Sequence, residues 1–447
     1  MIQPPSFGTD GIRGLSSEHI TPDLFFHLGQ CAARYLNSTD AILVGHDGRE
    51  SGEKLLHAFA KGAVSIGSSV IDAGKIPSGI IGWLCSNMPG VAAGAAITAS
   101  HNPPEYNGIK FYDHRGSKLT RTQERQFLTH WEATRTPATG QQLCLDSLNL
   151  DTICSQLTAA LQAKTESMEP LKGLRLLVDC ANGAASPIAK PLLSALGAQV
   201  TTLNTTQPIN TECGTNNPTQ AIEQVQNGSF DWGLAFDGDG DRLMLITSKG
   251  QVLNGDDLLF MMALLMDVDR IAGTIMSNSG LEQALLKHKI AFFRSDVGET
   301  PLRELMLTHN LRIGGEPSGH LLDLDLMQSA DGLISAAHLL ASCSRSNQTA
   351  ENLLRPLKHY SQLQKSIPLA NPDFLALPTT QKLLDHFHQK AAQEGGTGSR
   401  IIVRESGTEP ILRVMVEAQD EHFCHSLCDE LISQLDQLMT STASQHL

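Results

Sequence analysis

The chain has 447 residues, 41% of them hydrophobic, which suggests about three domains because the chain is too long for one core. Its net charge of −14 argues against a general binder of nucleic acid or anionic membranes, since either partner requires a basic face. There is no signal-peptide pattern, no apolar run longer than about half a membrane span and no CxxC pair among nine scattered cysteines, which predicts a cytoplasmic protein with reduced thiols.

Residues 1–150 predict the first α/β domain. A glycine-rich loop, GTDGIRG at 8–14, carries Arg13, which either contacts an anion or is solvated. Apolar periodicity then favours helices at 22–36 and 54–67 and short buried strands at 41–45 and 69–72, with another helix before Ser100. This alternation implies a mostly parallel sheet whose loops gather at one end.

The loop around Ser100 is the first strong chemical candidate. A buried strand of small residues at 91–96 leads into ITASHNPP, in which Asn-Pro-Pro ends any regular element. We therefore expect Ser100 on a turn with an exposed hydroxyl, beside an imidazole, His101, that can handle its proton. A plain turn with a surface histidine fits the same pair. The strand that follows places Lys110 where it can face the serine, although a solvated edge-strand lysine also fits.

A second α/β domain is predicted for residues 151–250, after a polar inter-domain segment at 121–151. Its elements are strands at 174–179 and 232–236 and a helix at 186–196. The second strand delivers DGDGDR, in which glycines let three carboxylates converge: Asp237, Asp239 and Asp241. Such hard oxygen ligands suit Mg²⁺. A solvated acidic turn is the poorer interpretation, because close carboxylates repel unless a cation lies among them.

Residues 251–366 predict a third α/β domain, with an apolar helix from Leu258 and strands at 273–276 and 290–293. It ends in the glycine-rich loop GGEPSGH, which displays Glu316, Ser318 and His320. Mixed donors and acceptors of this kind suit sugar hydroxyls, and a plain polar hairpin is the alternative.

Residues 367–447 predict a smaller α+β domain after a boundary, and a hinge, near Ile367. Two strands at 400–403 and 411–417 flank RESGTEP, and an amphipathic helix follows at 422–439. A loop with Ser, Gly and Thr between two arginines suits a phosphate, although a charged hairpin also fits.

Together these loops supply a serine, a divalent-cation site, a polyol-reading loop and a phosphate cradle. This combination suits phosphoryl transfer on a sugar phosphate, because the protein's task there is to position groups and neutralise charge.

At these motifs the chain resembles the α-D-phosphohexomutase superfamily, and its phosphoglucosamine mutase family most closely, over nearly the whole sequence. The resemblance rests on the motifs at 8–14, 98–103, 107–111, 237–242, 315–320 and 404–410. It implies three α/β domains and a C-terminal α+β domain around a central cleft. It also implies an isomerase that converts glucosamine 6-phosphate into glucosamine 1-phosphate, for UDP-N-acetylglucosamine and cell-wall precursor synthesis.

The resemblance further implies a phosphoserine at Ser100, one Mg²⁺ ion, and a sugar 1,6-bisphosphate as intermediate and activator. The metal would be held by the Ser100 phosphate with Asp237, Asp239 and Asp241. Catalysis would involve Ser100, His101, Lys110, Arg13 and Arg242, with the general acid and base open among His101, Lys110 and His320. The sugar would be read by Glu316, Ser318 and His320, and the distal phosphate bound by Arg404, Ser406, Gly407, Thr408 and Arg413. The implied assembly is a monomer or homodimer with a small-molecule hexosamine phosphate as its partner.

Departures from the family pattern occur at His46, Gly48 and Pro317, and at residues 75–79, KIPSG, which replace a Pro-Thr-Pro-like turn. They leave the substrate open between glucosamine phosphates and the neutral hexose phosphates of a phosphomannomutase/phosphoglucomutase. A haloacid-dehalogenase-like phosphatase would use Asp237 as its nucleophile, but this leaves the Ser100 loop without a role. A non-catalytic sugar-phosphate sensor is the remaining alternative.

Overall fold

The computed structural model describes residues 3–36, 40–134, 145–369, 371, 373–405 and 410–443. The chain forms two compact units. The first comprises Met1–Met276 and Phe293–Leu353, and the second comprises Ser277–Phe292 and Leu354–Leu447. Within the described ranges, every helix is too short or too polar to cross a membrane.

The first sheet of the first unit has six strands in the order β1-β5-β4-β2-β3-β6. They are β1 (Ile12–Leu15), β2 (Ala41–His46), β3 (Val70–Lys75), β4 (Val91–Ile97), β5 (Tyr106–Asp113) and β6 (Asp146–Ser147). β2 is parallel to β3 and β4, whereas β5 is antiparallel to both β4 and β1. Because β2 and β4 end at the same edge, the loop that holds Ser100 lies beside the loop that follows His46.

Four helices pack around this sheet: α1 (Pro22–Leu36), α2 (Gly52–Val64), α3 (Ser78–Asn87) and α4 (Arg121–Leu128). The predicted helix at 22–36 is confirmed residue for residue. The predicted inter-domain segment at 121–151 is wrong for its first part. Phe127 of α4 and Trp131, which begins a short 3-10 helix (Trp131–Thr134), are both buried in the first core. Two apolar side chains in a polar stretch are sufficient to anchor it.

The second sheet has the order β11-β10-β9-β7-β8. Its strands are β7 (Arg175–Asp179), β8 (Gln199–Leu203), β9 (Trp232–Phe236), β10 (Leu243–Thr247) and β11 (Val252–Leu253). β7 is parallel to β8 and β9. β9 and β10 form an antiparallel pair on either side of residues 237–242, the aspartate loop. The flanking helices are α5 (Leu150–Thr165), α6 (Ala189–Ala195) and α7 (Thr219–Asn227). α6 begins later than predicted, because Gly183–Ile188 form turns held by Gly238 O and Gly183 O.

The third sheet has the order β13-β12-β14-β15. Its strands are β12 (Arg270–Thr274), β13 (Ala291–Ser295), β14 (Ile313–Gly315) and β15 (Leu321–Asp323). Of β13, residues 293–295 belong to the first unit. The helices are α8 (Gly255–Leu265), α9 (Ser279–Lys287), α10 (Glu299–Thr308), α11 (Gly332–Ser346) and α12 (Ala350–Leu354). α8 begins with a capping box, in which Asn254 and Asp257 satisfy each other's backbone N–H groups.

The second unit is built on the antiparallel sheet β16-β18-β17, with strands β16 (Ser361–Pro368), β17 (Arg400–Glu405) and β18 (Ile411–Ala418). Helices α13 (Pro378–Glu394) and α14 (Glu421–Ala443) pack on it, and α9 belongs to the same unit. β16 pairs with β18 along its whole length, so the boundary predicted near Ile367 falls inside a strand of this sheet. The architecture is that of three α/β domains followed by a smaller α+β domain, as predicted.

Candidate active site

Ser100 lies in the serine loop, residues 98–105, which follows β4 at the edge where the parallel strands end. Its backbone is in the left-handed region, with φ of 51°, which is uncommon for a residue with a side chain. The Ser100 N–H donates to Thr98 Oγ1 at 2.7 Å. The expectation of an exposed hydroxyl is wrong, because Ser100 has 0% exposure. The loop is covered by the aspartate loop of the second domain, so burial depends on a contact between distant segments.

The Ser100 hydroxyl has two partners in the structure. It donates to Asp237 Oδ2 at 2.7 Å, and its oxygen lies 3.3 Å from His101 Nδ1. The two loops can approach this closely because residue 238 is glycine, since a Cβ atom there would lie 2.6 Å from Ser100 O. The serine is therefore held against a carboxylate and an imidazole.

The predicted metal ligands Asp237, Asp239 and Asp241 come together as a buried cluster. One ligand atom from each residue lies within 4.8 Å of the others, and none of the three is more than 1% exposed. Burial, reinforced by its two neighbouring aspartates, raises the pKa of Asp237 to about 7. Among the described residues, Asp239 Oδ1 has no hydrogen-bond partner. A buried carboxylate oxygen without a donor, in a set of three hard ligands, fits a Mg²⁺ ion.

Two buried lysines lie next to the triad. Lys110 Nζ contacts Asp239 Oδ2 and Asp241 Oδ2 at 2.7 Å each, and Asp10 Oδ2 at 2.8 Å. Burial alone would lower the pKa of Lys110, but these carboxylates outweigh burial and raise it. The ammonium therefore stays protonated and lies among the carboxylates, whereas the contacts of Ser100 Oγ go to His101 and Asp237.

Lys118 extends this network to the third domain. Its ammonium contacts Asp10 Oδ1 at 2.8 Å and Glu299 Oε2 at 2.7 Å, and lies 3.5 Å from Asp241 Oδ2. Glu299 is the first residue of α10. Burial opposes the charge on Asp10, but Lys110, Lys118 and Arg13 hold the pKa of that carboxyl well below its usual range. The charged network thus connects the first three domains.

His320 joins the third domain's loop to the triad. Its Nε2 lies 2.7 Å from Asp241 Oδ1, and its Nδ1 lies 3.0 Å from Glu316 Oε2. Burial disfavours the imidazolium, but Asp241 and Glu316 outweigh it and raise the pKa of His320 to about 10. His320 is therefore protonated near neutral pH. Ser318 lies in the same turn, with its side chain half-buried.

His101, in contrast to the protonated His320, is neutral near pH 7. Burial, followed by the positive charges of Arg242 and Arg13, lowers its pKa to about 4. Arg242 Nε lies 3.9 Å from Asp237 Oδ2, and Arg13 donates to Asn102 Oδ1 in the serine loop at 3.2 Å. Both arginines thus lie beside the serine loop, where their charges add to the effect of burial in keeping the imidazole neutral.

The predicted phosphate cradle lies in the second unit. Arg404 of β17 and Arg413 of β18 are directly opposite each other in the antiparallel register. Ser406, Gly407 and Thr408 lie outside the described residues. Residues directly opposite in an antiparallel pair share one face of the sheet, so both arginines belong to the same face.

Sequence reasoning missed several members of the site. Asp10 lies in the motif at 8–14, where only Arg13 was considered as a functional residue. Lys118 and Glu299 lie in segments without a recognisable motif. Arg49 and Asn210, which bind the backbone of the serine loop, were also missed. A buried charged residue can be recognised from sequence only when its partners are known, and most of the partners here are distant in the chain, such as Lys118 for Asp10 and the carbonyls of Ser100 and Asn102 for Arg49.

Four family models match the chain. They are described as the phosphoglucomutase/phosphomannomutase alpha/beta/alpha domains I, II and III and the C-terminal domain, and match residues 4–137, 154–250, 254–360 and 365–434. A phosphoglucosamine mutase from Aliarcobacter butzleri is 34% identical over 96% of this chain and 98% of its own length.

Solved structures share the fold. A phosphoglucomutase/phosphomannomutase family protein from Burkholderia thailandensis has a TM-score of 0.80 and 24% identity, covering 98% of each chain. The N-acetylphosphoglucosamine mutase of Aspergillus fumigatus, solved with GlcNAc-6P and magnesium, has a TM-score of 0.69 and 14% identity, covering 97% of this chain and 96% of its own. The chain therefore belongs to the phosphoglucomutase/phosphomannomutase family, on the branch of the phosphoglucosamine mutases.

Proposed function

We propose that the protein interconverts glucosamine 6-phosphate and glucosamine 1-phosphate, with Ser100 as the phosphoryl carrier and glucosamine 1,6-bisphosphate as the intermediate. The observation that carries this proposal is the position of the Ser100 hydroxyl, 2.7 Å from Asp237 in a buried triad of aspartates. A serine held against a divalent-cation site is suited to exchange a phosphoryl group with a bound sugar phosphate. The product would enter UDP-N-acetylglucosamine and cell-wall precursor synthesis.

Two transfers make up the reaction. In the first, the Ser100 Oγ–P bond breaks and a P–O bond forms to the free sugar hydroxyl, which loses its proton. In the second, the other phosphoryl group of the bisphosphate returns to Ser100, whose hydroxyl proton is released. The same loop therefore needs a proton acceptor in one direction and a donor in the other.

We assign this proton transfer to His101. Of the three open candidates, Lys110 and His320 are held protonated by carboxylates, whereas His101 is neutral and its Nδ1 lies 3.3 Å from Ser100 Oγ. A phosphoryl group on Ser100 would place negative charge beside the imidazole and raise its pKa. Phosphorylation of the serine would thereby favour protonated His101, and loss of the phosphoryl group would favour the neutral form.

Asp237, Asp239 and Asp241, together with the Ser100 phosphate, would hold Mg²⁺. When bound, the cation offsets negative charge on the transferring phosphoryl group. Arg242 and Arg13 flank the serine loop and supply further positive charge to the same group.

The remaining residues would bind the substrate. Glu316, Ser318 and His320 share one turn, where a carboxylate, a hydroxyl and an imidazolium offer both acceptors and donors to sugar hydroxyls. Arg404 and Arg413 would bind the substrate's other phosphate with Ser406, Gly407 and Thr408. Their opposed position on one face of the sheet supports this assignment, because two guanidinium groups on the same face can donate to one phosphate together.

Glucosamine is favoured over neutral hexoses by the names of three relatives that are 33–35% identical over 94–96% of the chain, each a phosphoglucosamine mutase. The fungal structure bound to GlcNAc-6P and magnesium supports a hexosamine phosphate and Mg²⁺ as the ligands of this fold.

The test is a coupled assay for glucosamine 1-phosphate formed from glucosamine 6-phosphate, with Mg²⁺ and a trace of sugar 1,6-bisphosphate. Ser100→Ala should reduce activity by about 10³-fold or more, since it removes the nucleophile. The matched control is Ser342→Ala, which should retain activity. Ser342 is a buried serine on α11 whose hydroxyl donates to His338 O.

Faster turnover of mannose or glucose phosphates than of glucosamine 6-phosphate would move the assignment to the neutral-sugar mutases. Ligand binding without turnover by the primed wild-type protein would indicate a sensor.

A further inference from the structure

Arg49 is a buried arginine in the segment between β2 and α2, and every nitrogen of its guanidinium donates hydrogen bonds. Nη2 donates to Ser100 O at 2.9 Å and to Asn102 O at 2.8 Å. Nη1 donates to Tyr106 O at 2.8 Å and to Pro103 O, and Nε donates to Asp47 Oδ2 at 2.9 Å. All five N–H groups of the side chain are thus bonded, three of them to backbone carbonyls of the serine loop and one to the carbonyl of Tyr106, the first residue of β5.

Asp47 connects this arginine to the N–H side of the same serine. Asp47 Oδ2 accepts from Thr98 Oγ1 at 2.6 Å, and Thr98 Oγ1 in turn accepts from Ser100 N at 2.7 Å. Both backbone polar groups of Ser100 are therefore fixed. These bonds hold a left-handed backbone that a residue with a side chain adopts only when its surroundings require it.

Asn210, in the second domain's loop between β8 and α7, contacts the same two carbonyls from the other side. Its Nδ2 donates to Ser100 O at 2.7 Å and to Asn102 O at 2.9 Å. Each of the two carbonyl oxygens thus accepts one bond from Arg49 and one from Asn210, which uses both lone pairs.

We propose that Arg49 and Asn210 form a carbonyl clamp that sets the direction of Ser100 Oγ, and that both are positioning residues for phosphoryl transfer. This inference rests on the proposed role of Ser100 as phosphoryl carrier. In-line transfer requires the attacking oxygen to be aligned with the phosphorus atom, and a misplacement of about 1 Å is sufficient to cost about 100-fold in rate. Neither residue contacts the hydroxyl, so their effect passes through the backbone of the loop.

The variant that tests the clamp is Asn210→Gly. Asn210 has a φ of 59°, which glycine adopts without strain, so the change removes the amide and keeps the backbone. The matched control is Asn347→Gly, an exposed residue with a φ of 54° that ends α11. Arg49→Lys is the second variant, because an ammonium keeps the charge but lacks the fork that reaches four carbonyls.

The rate of Ser100 phosphorylation by glucose 1,6-bisphosphate is measured in a single turnover by intact-protein mass spectrometry, together with steady-state kcat and KM. We expect Asn210→Gly to slow phosphorylation and kcat by about 10- to 100-fold, with KM within about threefold of the wild-type value. Arg49→Lys should lose more, and Asn347→Gly should match the wild type.

Phosphorylation of Asn210→Gly at the wild-type rate would overturn the clamp, and so would a loss confined to KM or to Mg²⁺ affinity. If Arg49→Lys fails to fold, the phosphorylation rate of Asn210→Gly alone tests the clamp. A wild-type protein that is never phosphorylated would overturn the proposed function as well, so the two failures are distinguishable.

Discussion

Each unit of the protein buries carboxylates, and Glu417 in the second unit is neutralised differently from the aspartate triad in the first. In the second unit, Glu417 has 0% exposure and accepts from Ser279 N at 2.6 Å, Ser279 Oγ at 3.2 Å and Arg400 Nε at 2.7 Å. In the first unit, three aspartates crowd together and Asp239 keeps an oxygen without a donor among the described residues.

The difference separates a structural carboxylate from a ligand-binding one. Burying a charge is costly unless it is paired, so a complete set of donors indicates a joint that stabilises the fold. A surplus of carboxylate indicates that part of the pairing comes from outside the chain. Glu417 joins α9 to the C-terminal sheet, whereas the triad has the composition of the cation site proposed above.

The largest effect is expected when the aspartate triad loses one of its negative charges. Asp239→Asn keeps the shape of the side chain but removes one ligand charge. We expect Mg²⁺ affinity and mutase activity to fall by at least about 100-fold, more than the loss typical of an outer-sphere partner. Isothermal titration with Mg²⁺ and the coupled assay measure both. Asp436→Asn on the exposed face of α14 is the control, and unchanged Mg²⁺ affinity in Asp239→Asn would show that the triad is not the metal site.

The second-largest effect is expected when Glu417 loses the negative charge that pairs with Arg400. Glu417→Gln should destabilise the second unit by about 2 to 4 kcal/mol, because Arg400 loses its charged partner. All three tryptophans lie at positions 83, 131 and 232, in the first unit, so their fluorescence does not report on this change. Hydrogen exchange of peptides from α9 and β18 should accelerate, while the tryptophan unfolding transition and Mg²⁺ affinity stay the same. Equal acceleration in the first unit's strands would contradict a local joint.

The smallest effect concerns Asp323, a buried carboxylate of the first unit that is paired like Glu417. Burial would raise its pKa, but Arg312, at 2.8 and 2.9 Å, and His338 hold it below the usual range. The stability that this pair contributes is therefore present above pH ~4 and is lost as the pH falls through the lowered pKa of the folded state.

Asp323→Asn should accordingly cost about 1 to 3 kcal/mol at pH 7, and the difference from wild type should shrink at lower pH. Urea unfolding at pH 7, 5 and 3 measures it. A difference that grows on acidification would mean that Asp323 is not held ionised.

Local pattern was sufficient to predict much of the fold and the chemistry of single loops. Helix α1 follows from apolar periodicity, and the DGDGDR loop follows from strands on both sides of alternating carboxylates. The pattern could not show that Ser100 is buried, because the cover comes from Gly238 and Asn210, more than a hundred residues away. For the same reason nothing in the sequence singled out Lys118, although three carboxylates surround it.

The joint at Glu417 also has a consequence for the time course of synthesis. Ser279 and Glu417 are 138 residues apart in the chain. At about 5–20 residues per second, the ribosome delivers Glu417 roughly 7 to 28 s after Ser279. During that interval the start of α9 has neither its carboxylate nor its sheet. A nascent or truncated chain that ends before residue 417 therefore carries a helix whose partners have not yet been made.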